Sequence, residues 1–102
     1  MSEKFHIGQI IYHKRFNYRG VIVSVDEVFS LSEFWYESMA RTRPPKDKPW
    51  YNILVDQSFQ STYVAERNLL ANEDSRQIDH PFLGYYFDKY DGLRYYLKQK
   101  IH

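Results

Sequence analysis

The chain has 102 residues, a formal net charge of +1 and no cysteine. This length fits one domain, the lack of cysteine excludes disulfides and thiolate metal sites, and the small net charge argues against a dedicated high-affinity DNA binder, which is often strongly basic. No apolar run reaches the ~18 residues of a membrane-spanning helix, and the first residues lack the apolar core of a signal peptide. We therefore expect a cytoplasmic protein.

The N-terminal quarter predicts a β-hairpin around which the rest of the chain is organised. Its arms, Ile7–Tyr12 and Val21–Val25, are rich in Ile, Val and Tyr, which suit a half-buried strand. Asn17 and Gly20 are expected to supply the turn, because both tolerate positive φ. The tip carries three cations beside two aromatic rings and is the first candidate for a binding site: Lys14, Arg15, Arg19, Phe16 and Tyr18.

A helix is predicted to follow this hairpin. Ser30 and Glu33 match a capping box with Ser30 as the N-cap, so the helix should run from about Leu31 to about Ala40. Apolar residues recur at helical spacing, which favours a helix packed across a sheet and leaves a peptide-binding face as the alternative. The residues of this face are Leu31, Phe34, Trp35, Ser38 and Met39.

A stiff cationic loop comes next. Three prolines within residues 44–49 forbid a continuing helix and favour extended backbone. The loop is either a solvated connection or a preorganised basic edge beside the hairpin tip, since stiffness lowers the ordering cost of binding. Its cations are Arg41, Arg43, Lys46 and Lys48.

The remaining pattern predicts a mainly β fold. Trp50–Asp56 and Ser61–Glu66 form a second hairpin, and Asn68–Leu70 closes the sheet, which favours a small antiparallel β-barrel with the helix inserted between its second and third strands. Pro81 is expected at the first position of a short helix. Helical spacing resumes after Gly92, so the end of the chain is predicted as a helix docked on the barrel or as part of an oligomer interface.

No catalytic motif is present, so we predict no enzyme, no cofactor and no metal site. Two binding classes remain. In the first, cations neutralise DNA phosphates while Tyr18, Phe16 or Trp50 contacts a base or a groove. In the second, aromatic surface and the C-terminal segment dock a protein partner. The predicted DNA-binding residues are Lys14, Arg15, Tyr18, Arg19, Arg41, Arg43, Lys46, Lys48 and Trp50.

Several short stretches, in order and at their spacing, resemble the HspQ/YccV-like family, also called the hemimethylated-DNA-binding domain. They span about residues 5–90, and together they are more specific than any one of them. The stretches are Phe5–Gln9 with His13, Tyr18–Ile22, Val25–Asp26, Arg43–Pro44, Lys46–Tyr51, Tyr63–Leu69 and His80–Pro81.

The resemblance implies an SH3-like β-barrel with a helical insertion, in a cytoplasmic bacterial heat-shock protein without catalytic residues. It implies binding of hemimethylated double-stranded DNA, modulation of the ATP-dependent Lon protease, and oligomers. Asn52 departs from a histidine expected there, and residues 91–102 form a variable tail. We hypothesise a single-domain regulator, residues 1–102, that binds DNA through the hairpin tip and the proline-rich loop. The alternative is a stress-related Lon regulator without meaningful DNA affinity.

Overall fold

The computed structural model of this chain describes residues 3–99. Over that range no helix has both the length and the apolar character needed to cross a membrane. The elements in chain order are β1 (Ile10–His13), β2 (Arg19–Asp26), α1 (Glu33–Met39), β3 (Trp50–Val55), β4 (Ser61–Ala65), a turn of 3-10 helix (Glu66–Asn68), β5 (Leu69–Ala71), α2 (Leu83–Tyr86), β6 (Phe87–Tyr90) and β7 (Tyr95–Leu97).

Five strands form one antiparallel sheet in the order β4-β3-β2-β1-β5. This confirms a small, mainly β domain with a helix inserted between the second and third strands. The pairing of β2 with β3 shifts register between Ile22 and Ser24, an irregularity of the kind that a β-bulge produces. Within residues 3–99 the sheet does not close into a complete barrel, because β4 and β5 remain its two edges. The 3-10 turn connects those edges.

Helix α1 begins later than predicted, because Ser32 and not Ser30 is its N-cap. The Ser32 hydroxyl accepts a hydrogen bond from the Trp35 backbone N–H at 3.0 Å. The Ser30 N–H instead donates to the Tyr63 hydroxyl, and the Ser30 hydroxyl donates to the Val28 carbonyl. Ser30 is thus held outside the helix by a residue of β4, a contact that local sequence does not reveal.

The predicted inward face of α1 is also wrong in part. Phe34 and Met39 are exposed, whereas Tyr36 and Ala40 are buried against Trp50 and Ala65. A buried tyrosine needs a partner for its hydroxyl, and Tyr36 finds one by donating to the Pro44 carbonyl at 2.6 Å. The helix does pack across the sheet, as predicted, but through a neighbouring stripe of residues.

The C-terminal segment is a β-hairpin and not the predicted run of helices. Between residue 81 and residue 99, where the described part of this segment ends, only α2, four residues long, is helical, and β6 and β7 pair antiparallel after it. Gly92 adopts a positive φ of 98° in the turn, and the Asp91 carboxylate accepts the backbone N–H groups of Leu93 and Arg94, each at 2.9 Å. An Asp-Gly pair is a strong hairpin signal, and it outweighs the helical spacing. Residues 100–102 of the predicted tail lie outside the described residues.

Both faces of the sheet are buried, each under a different part of the chain. On one face the N-terminal segment covers the core, which includes Phe5, Ile11, Ile22, Tyr51, Ile53, Val64 and Leu69. On the other face α2 and the C-terminal hairpin cover Ile10, Val21, Val23, Leu54, Ile78, Phe87 and Tyr95. Because neighbouring residues of a strand point to opposite faces, this double burial explains the continuous apolar runs of β1, β2 and β3.

Candidate nucleic-acid interface

A cleft of about 900 Å³ opens between the β1–β2 hairpin tip, the C-terminal end of α1 and strand β4. The tip contributes one wall, with Arg15 and Phe16. The end of α1 and the residues after it contribute a second part of the lining, with Met39 and Arg41. Side chains of β3 and β4, among them Asn52 and Thr62, also line it. The cleft therefore joins the two cationic stretches that the sequence singled out.

The hairpin tip is a defined turn, held by its own backbone. The His13 N–H donates to the Tyr18 carbonyl at 2.8 Å, and the Asn17 N–H donates to the His13 carbonyl at 2.9 Å. Asn17 adopts the positive φ that was predicted for it, 57°, whereas Gly20 does not. Gly20 lies within β2, where a Cβ would approach Ile53 Cγ2 to 2.5 Å. Its role is close packing and not turn formation.

His13 organises the exposed end of this turn. Its side chain is buried, and its Nδ1 accepts the backbone N–H groups of both Arg15 and Phe16 at 3.1 Å. Its ring lies between Phe16 and Tyr18, with ring centroids 4.8 and 5.1 Å away. Burial, reinforced by the Arg15 charge, lowers the pKa of His13. A neutral ring keeps Nδ1 an acceptor, which fixes where Arg15 and Phe16 project.

The aromatic candidates differ sharply in exposure. Phe16 is 68% exposed at the tip. Tyr18 is half-buried, its hydroxyl 2.7 Å from that of Thr62 on β4, and burial raises its pKa. Tyr18 thus joins the tip to β4 and forms part of the lining of the cleft. Of the two rings at the tip, Phe16 is the one with a face open to a ligand.

Trp50 lines the cleft but is only 2% exposed, so the prediction of a base contact at Trp50 needs correction. It is enclosed by the rings of Phe29, Trp35, Tyr36 and Tyr63, with centroid distances of 5.0 to 6.3 Å. Its indole N–H donates to the Pro45 carbonyl at 3.0 Å. Trp50 therefore anchors α1 and the proline-rich loop to the sheet.

Arg19 is likewise structural and not exposed at the tip. Its side chain is 11% exposed and pairs with Asp56 at 2.7 Å. It also donates to the backbone carbonyls of Asp74 and Arg76. The guanidinium ties β2 to the loop before α2, and it has no free face for a phosphate. The expected phosphate contact at Arg19 is therefore corrected to an internal ion pair.

The proline-rich loop presents two kinds of cation. Arg43 pairs with Glu37 at 2.7 Å and Lys46 pairs with Glu33, and both cations lie over the Tyr36 ring. Arg41 and Lys48 are exposed, and within residues 3–99 neither forms an ion pair, which is also true of Lys14 and Arg15 at the tip. The cations most available to an anionic ligand are therefore Lys14, Arg15, Arg41 and Lys48.

No acidic side chain lines the cleft. All 13 acidic residues of the chain lie within the described residues, and none of them lines it. The structure brings Arg15, Tyr18, Arg41 and Trp50 together at the cleft, while Lys14, Arg19, Arg43, Lys46 and Lys48 do not line it. Met39 was missed as a site residue, because its helical spacing indicated a core position, yet it is 62% exposed beside the cleft.

Comparison with known proteins gives one family and a group of relatives. A family model described as "Hemimethylated DNA-binding protein YccV like" matches residues 3–94. F-box only protein 21 from Pongo abelii and from Homo sapiens is 33% identical, and that from Mus musculus 32%, over 93 residues. These alignments cover 89% of this chain but 15% of each relative, so the chain spans about one seventh of their length. No solved structure matches.

Proposed function

Because the chain belongs to the YccV-like family of hemimethylated-DNA-binding proteins, we propose that it binds DNA at the face that carries the cleft. One observation above all supports this location. The lining of the cleft includes arginines from the hairpin tip and from the segment after α1, and none of the 13 acidic residues of the chain. A polyanion is therefore attracted to this face although the net charge is only +1, because local charge, and not the sum, decides electrostatic attraction.

Four cations are proposed as phosphate contacts: Lys14, Arg15, Arg41 and Lys48. They are exposed and outside any ion pair of residues 3–99. Arg43 and Lys46 are weaker candidates for phosphate contacts, because each must first break its ion pair with a surface carboxylate. Such exposed pairs contribute only about 0–1 kcal/mol, so exchange for a phosphate is feasible.

The methyl group is proposed to be sensed by apolar contact. Phe16 and Met39, both exposed, contribute apolar atoms to the lining of the cleft. Proteins read the methyl group of thymine through such contacts in the major groove. Tyr18 is assigned a positioning role, because its hydroxyl joins the hairpin tip to Thr62 of β4. Trp50 is assigned a positioning role as well, because it anchors α1 and the proline-rich loop to the sheet.

The test is fluorescence anisotropy with matched unmethylated, hemimethylated and fully methylated duplexes at several salt concentrations. Four phosphate contacts predict a log–log slope of the association constant against salt of roughly −3 to −4. Arg15→Glu and Arg41→Glu should each weaken binding and flatten this slope. Lys98→Glu is the matched control, because Lys98 is exposed and does not line the cleft. Equal losses in all three variants would refute the assigned face, and no affinity for any duplex would refute DNA binding.

A second candidate is protein–protein regulation, with an ATP-dependent Lon protease in a bacterial cytoplasm as the partner that the family resemblance implies. The supporting observation is a set of exposed apolar side chains outside the cleft, including Phe59, Tyr85 and Leu93, exposed by 85%, 76% and 78%. Exposed aromatic residues are frequent anchors of interfaces. Purified Lon should then change its proteolysis rate on adding this protein, and Tyr85→Ala should remove the change while Phe16→Ala should not. We also propose a homo-oligomer, which the family resemblance implies, and sedimentation of the natural chain and of the same variants tests it.

A further inference from the structure

We propose that the cleft binds an unpaired nucleotide, a base outside the stack of a duplex, and that Phe16 stacks on it. This inference rests on the proposed function, since it specifies which part of a DNA ligand enters the cleft. The cations at the edges of the cleft indicate an anionic ligand, but they do not determine which part of that ligand enters the cleft.

Size favours a nucleotide over a duplex. Clefts that enclose a compact organic ligand are typically about 300–1,000 Å³, and this one is about 900 Å³. A cleft of about 900 Å³ has too little room for a duplex, whose major groove alone is about 12 Å wide. A duplex can therefore touch only the rims of the cleft. A base and its sugar are small enough to enter it.

The wall at the hairpin tip supplies a stacking ring beside a cation. Phe16 exposes 68% of its surface, and its ring rests on that of His13 with centroids 4.8 Å apart. The Arg15 guanidinium carbon lies 5.9 Å from the Phe16 centroid. An exposed aromatic ring next to a cation is the arrangement with which proteins hold unpaired strands, the ring taking the base and the cation the phosphate.

The remainder of the cleft can read the edge and the methyl group of such a base. Asn52 donates through its side-chain amide to the Ser24 hydroxyl at 2.7 Å, which leaves its amide oxygen without a partner among residues 3–99. Gln60 and Ser61 add further polar side chains to the lining. Met39, at the end of α1, supplies an apolar contact for a methyl group. One cleft accepts one nucleotide, which provides a physical route to sensing a methyl group on one strand only.

The experiment compares the affinity of the full chain for three probes of one sequence: a matched duplex, the same duplex with a single bulged nucleotide, and the single strand. A nucleotide that is already unpaired costs less to move out of the stack. The bulged duplex should therefore bind about 10-fold more tightly than the matched duplex. Loss of stacking in Phe16→Ala should remove a similar factor, and Phe16→Leu, which keeps apolar bulk over His13, should lose it too.

Phe82→Ala is the matched control, because Phe82 is exposed by 59% and lies outside the cleft; it should leave all affinities unchanged. Equal affinity for matched and bulged duplexes would overturn this inference while leaving DNA binding intact. Failure of every probe to bind would overturn the proposed function itself. Competition by polyglutamate with the same sensitivity to Phe16→Leu, without preference for the bulge, would identify an acidic peptide as the occupant and also overturn the inference.

Discussion

A Cβ atom on Gly8 would lie 1.9 Å from the carbonyl oxygen of Tyr95. The two backbones meet because the Tyr95 N–H donates to the Gly8 carbonyl at 2.8 Å, next to the bridge between Gln9 and Arg94. Gly8 also adopts a φ of 89°, a backbone conformation that residues other than glycine rarely adopt. The C-terminal hairpin can therefore reach β1 only where the chain has a glycine.

Gly8→Ala should destabilise the fold strongly, because it adds both backbone strain and a collision with backbone atoms. We expect a loss of about 2–4 kcal/mol in the free energy of unfolding, measured by urea denaturation. Gly84→Ala is the matched control. A Cβ at Gly84 meets nothing within 4 Å, and alanine is the better helix former, so this variant should be neutral or slightly stabilising. Equal destabilisation of both variants would contradict the close approach.

Arg19→Leu should cost about 3–5 kcal/mol, because it leaves the buried Asp56 carboxylate without its cation. The two side chains are only 11% and 9% exposed. Arg43→Leu removes a pair whose side chains are 60% and 56% exposed, so its cost should stay within about 0–1 kcal/mol. Urea denaturation of the two variants side by side measures the difference. If Arg19→Leu were as mild as Arg43→Leu, Arg19 would not have the structural role assigned to it.

The tip should loosen in mild acid. Burial lowers the pKa of His13 in the folded chain below its ordinary value of 6.5, so below about pH 6.5 the unfolded chain binds more protons than the folded one. The stabilisation that the neutral His13 side chain provides is thus complete above pH 6.5, and it is lost as the pH falls toward the pKa of His13 in the folded chain. Protonation of Nδ1 also removes the acceptor for the Arg15 and Phe16 N–H groups.

Denaturation of His13→Gln and of the natural chain across pH 5–8 measures this effect. The variant should be less stable at pH 8 but should depend less on pH, the residual slope including His6, whose pKa burial also lowers. An unchanged pH dependence would exclude His13 as the responsible group.

Tyr63→Phe should lower the free energy of unfolding by about 1–3 kcal/mol, since it removes the partner of two polar groups. The Tyr63 hydroxyl donates to Asp26 at 2.7 Å and accepts the Ser30 N–H at 3.1 Å. Burial, and then the bond to Asp26, raises the pKa of Tyr63 to about 12. In the natural chain its stabilising effect should therefore fade as the pH rises above 10. Tyr85→Phe, at an exposed position, should change neither stability nor the alkaline transition.

Much of the fold was predictable because its signals are local. The strands at Trp50 and Ser61 begin where β-forming residues begin, and turn residues separate them. The C-terminal hairpin was also signalled, by Asp91-Gly92, but the spacing of its aromatic residues also fits a helix. Periodicity over so short a segment does not separate the two structures. The turn residues Asp91 and Gly92 do distinguish a hairpin from a helix here.

The errors at the site have a different cause, since they depend on partners distant in sequence. Arg19 is buried because Asp56, 37 residues away, neutralises it. Trp50 is buried because Phe29 and Trp35 pack over it. Nothing adjacent to Arg19 or Trp50 distinguishes them from exposed residues of the same type. Arg15 and Arg41 are exposed, and within residues 3–99 neither forms an ion pair; their contact with DNA stays a prediction.

The bond from the Arg94 guanidinium to the Ile7 carbonyl joins residues 87 positions apart. The core beneath the C-terminal hairpin depends on such pairings, because Phe87 and Tyr95 pack on Ile10 and Val21. Contacts this distant in sequence must overcome a large loop-closure entropy, which slows folding. During synthesis, one face of the sheet therefore stays uncovered until almost the whole described chain has left the ribosome. Until then the apolar residues of this face are exposed and prone to aggregation. The face is fully covered only when Tyr95 of β7 packs with Ile10 of β1.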